Sequence, residues 1–126
     1  MKKKLNFIIP LVIYPFDVMV SFGETNEEID KHFKKYNLSA DDISMATITS
    51  KTVQGRTVMF STNQTLIRLV KFTGTPKDYG NLQHEIFHAV TFVMDRIGMK
   101  LVVEESDEAY SYLIDYLTVE IYKKIK

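Results

Sequence analysis

The chain has 126 residues, the length of one domain, and its 45% apolar and 25% charged content is that of an ordinary globular protein. Sixteen basic side chains balance sixteen acidic ones, so no net positive field exists to hold nucleic acid or an anionic membrane, and neither is expected as a partner. Cysteine is absent, which excludes disulfides, thiolate metal sites and a Cys nucleophile and leaves any metal to His, Asp and Glu.

The chain opens on Lys2, Lys3 and Lys4 and an apolar run, a pattern that mimics a signal peptide. Pro10 and Pro15 break the run as a helix, no small-residue cleavage site follows, and the run is too short to span a bilayer. It is therefore expected to form strands over 5–14 and 16–22, and a cytoplasmic location is expected. Thr25 with Glu28 three residues later forms a capping box, which predicts a short helix over 26–35 with Ile29 and Phe33 on one face. His32, beside that face, is expected to be a partly exposed helix residue. Residues 38–43 look like a polar connection. Strands are predicted over 44–53, where Thr and Ile recur, and over 56–61 and 66–72, after a turn at Gln54-Gly55.

Thr75-Pro76 marks a helix start, with Thr at the N-cap, Pro in the first turn and Asp78 suited to the dipole. An apolar stripe of Leu82, Ile86, Ala89, Val90, Val93 and Ile97 continues it to Gly98, the expected stop. Residues 99–103 are expected to be a short extended link. Ser106 is expected to cap a last helix to about residue 125, where Lys123 and Lys124 suit the dipole's negative end. The whole, 1–126, is predicted to be one α+β domain. It comprises a sheet with one short helix (1–74), the central helix (75–98) and a C-terminal helix (106–125).

The central helix carries His84-Glu85-Ile86-Phe87-His88, an H-E-x-x-H sequence. Residues four apart stack one turn above each other, so both imidazoles can reach one metal ion with Glu85 beside it as general base. A catalytic zinc needs a third protein ligand and one open position. Glu104, Glu105 and Glu108 are the carboxylates that follow, and Glu108 is placed best because it opens a rigid helix.

HEIFHAVT, a 19-residue gap after His88 and then Glu108-Ala109 resemble the thermolysin group of zinc peptidases, the gluzincins. The resemblance covers about the last 45 residues. It implies Zn2+ held by His84, His88 and Glu108, with Glu85 as base and proton shuttle. It also implies a zincin-like fold, in which a small twisted, mostly antiparallel sheet packs on the motif helix and on a ligand-bearing C-terminal helix. Tyr112 stands where that family has an Asp supporting the first His, and Asp115 is a candidate substitute. Tyr110, Tyr112 and Arg68 are candidates for steadying the transition state. By the same analogy the strand over 66–72, with Leu66, Ile67, Arg68, Leu69 and Val70, is the sheet edge that holds an extended peptide. Size and element order also resemble small zincin-like proteins of bacterial viruses.

Three functions follow. The first is zinc-dependent peptide hydrolysis. The second is a non-catalytic binding or structural protein on a zincin frame, such as a virion component assembling with other virion proteins, in which zinc is a staple or a relic. The third is a metal-free His pair in an α+β domain.

Overall fold

The computed structural model describes residues 4–126, so Lys2 and Lys3 of the basic start lie outside the described residues. The elements are β1 (Leu5–Pro10), β2 (Asp17–Phe22), α1 (Asn26–Phe33), α2 (Ala40–Ala46), β3 (Gly55–Met59), β4 (Thr65–Leu69), α3 (Pro76–Arg96) and α4 (Asp107–Ile125). The fold is α+β. One four-stranded mixed sheet runs in the order β1-β2-β4-β3, with β1/β2 and β3/β4 antiparallel and β2/β4 parallel.

Strand alternation sends side chains to two cores. On one face Val18, Val20, Phe22, Ile67 and Leu69 pack with Leu82, Ile86, Val90 and Val93 of α3 and Leu113, Leu117 and Ile121 of α4. On the other, Met19 and Leu66 pack with Ile29 and Phe33 of α1, Ala46 of α2, and Phe60. The central strands β2 and β4 are thus covered on both sides, which explains their nearly continuous apolar sequences. Helix α3 lies against β3 and β4, while α4 reaches β1.

Helix α3 forms as its signals predict. Thr75 is the N-cap in a capping box with Asp78, Pro76 sits in the first turn, and Gly98 ends the helix at φ +78°, a conformation that favours glycine. The capping box of Thr25 and Glu28 likewise starts α1.

Four expectations need correction. Residues 38–53 hold no strand: Ser39 and Asp42 form a capping box that starts α2, so two short helices cover that face. The strand holding Leu66, Ile67, Arg68 and Leu69 is interior, because β4 pairs with β2 on one side and β3 on the other, and Val70 lies just past its end. Residues 99–103 do not form an extended link throughout, because the amides of Glu105 and Ser106 fold back on the Val102 carbonyl. Ser106 makes no side-chain cap: its hydroxyl accepts from the Val102 amide and donates to the Lys100 carbonyl. Among the described residues no helix is long and apolar enough to cross a membrane.

Candidate metal centre

His84 and His88 lie on the solvent side of α3, one turn apart, with their Nε2 atoms 3.1 Å from each other. That spacing is a hydrogen bond between the two rings, and it is close to the roughly 3.3 Å that separates two nitrogens on one tetrahedral zinc. Phe92, one further turn along, stacks on the His88 ring at 6.5 Å.

Glu85 points differently. Rotated about 100° from His84 around the helix, its side chain runs under strand β3 and is only 8% exposed. The Thr57 hydroxyl lies 2.8 Å from Glu85 Oε1 and 3.1 Å from the Glu85 carbonyl, and it donates to the carboxylate. Oε2 accepts no hydrogen bond from the described residues. Gly55 allows this approach, since a Cβ there would stand 3.2 Å from Glu85 Cγ.

Strand β3 is the sheet edge on this side, and its outer rim is open among the described residues. The Phe60 amide donates to the Gln64 carbonyl and the Val70 amide to the Gln54 carbonyl. Because bonded pairs alternate along an antiparallel ladder, Arg56 and Val58 bond inward to β4. Gly55, Thr57 and Met59 therefore turn their amides and carbonyls outward. Their side-chain positions face α3, with Thr57 on Glu85 and Met59 Sδ 3.2 Å from Arg96 Nε.

The third ligand implied by the resemblance does not meet this pair. Gln83 Nε2 donates to Thr118 Oγ1 and Tyr122 Oη, and Tyr110 Oη donates to the Met99 carbonyl, so α3 and α4 run antiparallel. Glu108 lies about ten residues, or roughly 15 Å, along α4 from the level of the His pair. It is also on the wrong side, because His84 and His88 are rotated about 100° and 140° around α3 from Gln83, which faces α4. Among the described residues no group of three His, Cys, Asp or Glu side chains converges to hold a metal.

No family model, curated protein or solved structure matches this chain.

The remaining candidates also lie away from the His pair. Tyr110 is buried in the core, its hydroxyl spent on Met99. Tyr112 is 70% exposed and lines an apolar groove between α4 and the β1–β2 connection, on the β1 side of the sheet. Asp115 is exposed on α4.

Arg68 is buried on the opposite face of the sheet from α3. It donates to Asn26 Oδ1, the Ala46 carbonyl and the Glu24 carbonyl, and burial pulls its pKa down. Glu24 is buried beside it and accepts from Asn6 and Ser21, and its Oε2 lies 2.6 Å from His32 Nδ1. His32 is thus exposed at one edge and tied to a buried carboxylate at the other. These groups hold α1 and α2 on the sheet.

No motif in the sequence marks Thr57, which bonds Glu85, or Met59 and Arg96, which meet further along α3. One signal was available: TLIRLV is more continuously apolar than GRTVM, which marks the second strand of this hairpin as interior and the first as the edge.

Proposed function

We propose that the chain is a zinc-dependent hydrolase of extended peptides whose own metal ligands are His84 and His88. The observation that carries this reading is the 3.1 Å approach of the two Nε2 atoms on one side of a carboxylate anchored to an open edge strand. Two imidazoles on one helix face are zinc donors, one short of the three protein ligands of a catalytic site. Glu108 does not complete it, so the remaining positions fall to water, substrate or a group from outside the described residues.

A bound zinc would supply Lewis acidity to polarise a carbonyl and acidify a water. The chain's residues do the rest. Thr57 fixes Oε1 of Glu85 and leaves Oε2 to accept a proton from the attacking water and return it to the leaving amine. The outward amides and carbonyls of Gly55, Thr57 and Met59 would pair with a peptide strand and hold it alongside Glu85.

Elemental analysis of gently purified protein should find one zinc per chain. Glu85→Gln should retain that zinc and lose cleavage of unfolded protein substrates by at least a hundredfold, the usual scale for removing a general base. Glu108→Ala should change neither zinc content nor cleavage. Zinc below a tenth of an equivalent in the wild type would end the metal reading.

The absence of a third protein ligand among the described residues favours a second reading, a binding protein with a vestigial or structural metal. Zinc binding with equal inertness of wild type and Glu85→Gln on a broad peptide library would support it instead.

A further inference from the structure

We infer that Arg96 reads an acidic side chain of the bound peptide, two residues along from the residue held opposite Thr57. This rests on the peptide-hydrolase reading above and names the substrate class of that site.

Arg96 follows Glu85 by eleven residues, three turns that return it to within about 20° of the same helix face. It therefore lies on the β3 side of α3. Its long side chain leans back toward the helix N-terminus, as helical side chains do, and Nε comes to rest 3.2 Å from Met59 Sδ. A thioether is a weak acceptor, so the contact positions the guanidinium without neutralising it. Arg96 forms no ion pair with any described residue and is exposed. Asp95, the adjacent acid, is turned about 100° away, toward the His side of the helix.

A free guanidinium is thus held at the end of an unpaired strand edge. In an antiparallel ladder, directly opposite residues put their side chains on the same face. A peptide residue opposite Met59 would therefore project toward α3, where the guanidinium waits. The residue opposite Thr57, two positions away and about 6.7 Å along the strand, lies over Glu85. An Asp or Glu at the Met59 position can accept the paired hydrogen bonds that arginine offers to a carboxylate. A Lys there would meet a like charge.

The test uses the Glu85→Gln chain with zinc and fluorescein-labelled ten-residue peptides of Ala and Thr, each with one Glu or one Lys at a scanned position. Anisotropy should show one Glu position binding about five- to tenfold more tightly than the all-neutral peptide, as an exposed charge-assisted contact allows. Lys at that position should weaken binding. Adding Arg96→Glu should invert the preference, while Arg96→Lys should keep its sign. The wild-type chain should cut these peptides two residues from the preferred Glu. Cleavage of neutral peptides without any positional preference for Glu would overturn the role of Arg96 and leave the hydrolase reading standing. Failure to bind or cut any peptide would overturn both.

Discussion

Asp78 fixes the start of the helix that carries the candidate site. Its Oδ2 accepts from the Thr73 amide at 2.8 Å, the Thr73 hydroxyl at 2.9 Å and the Thr75 amide at 3.2 Å, while its own amide donates to Thr75 Oγ1. Burial pushes the carboxyl pKa up, but the hydrogen bonds from Thr73 and Thr75 outweigh it and hold the group at about 2, below its ordinary 3.8. A depressed pKa means that the folded state prefers the ionised form. The stabilisation is fully present above about pH 4 and is lost as pH falls through about 2. Asp78→Asn should therefore cost on the order of 2 kcal/mol at pH 7. The gap to wild type should close between pH 4 and pH 2 in urea titrations, and parallel stability curves across that range would refute the assignment. This cap was legible in the sequence because Thr75, Pro76 and Asp78 act on one another within a single turn. His84, Glu85 and His88 were legible for the same reason. Thr57 and Arg96 were not, since their roles exist only once β3 has packed on α3, and Glu108 misled because its spacing carries no information about where α4 begins to return.

At the level of elements, the approach of β3 to α3 depends on Gly55. A Cβ there would meet Leu69 Cδ2 at 2.9 Å, the Arg68 carbonyl at 3.2 Å and Glu85 Cγ at 3.2 Å. The leucine tip can swing aside, but a backbone carbonyl cannot, so the strand must lift. Gly55→Ala should destabilise the fold by about 1–3 kcal/mol, the range for overpacking. It should also reduce peptide cleavage beyond the stability loss, because lifting β3 withdraws Thr57 from Glu85. Unchanged denaturation midpoints and turnover would show that the contact is looser than described. Helices α1 and α3 could be read from their caps. Helix α2 cannot be read from residues 44–53, where Thr and Ile favour a strand, although Ser39 and Asp42 carry the same capping-box signal as Thr25 and Glu28. Tertiary cover decides there: Ala46 is buried with Ile29 and Phe33 against the sheet.

For the molecule as a whole, the α+β class followed from strands clustered early and helices late. The strand order did not, because pairing between β2 and β4 is set by which faces must be buried and not by any local turn. That central parallel pair has a kinetic consequence. Hairpins β1–β2 and β3–β4 can each close through a short turn, but Val20 meets Ile67 only after α1, α2 and β3 have been looped out between them. The entropy of that loop is spent before the contacts that compensate for it have formed, which makes docking of the two hairpins the slow event of folding. Val20→Ala and Ile67→Ala should therefore slow the refolding arm of a stopped-flow chevron, with φ above about 0.5. Ile121→Ala, near the far end of α4, should chiefly speed unfolding. An unchanged refolding arm in Val20→Ala would move the barrier away from the β2–β4 seam, and the two hairpins would then assemble after the chain has committed to fold.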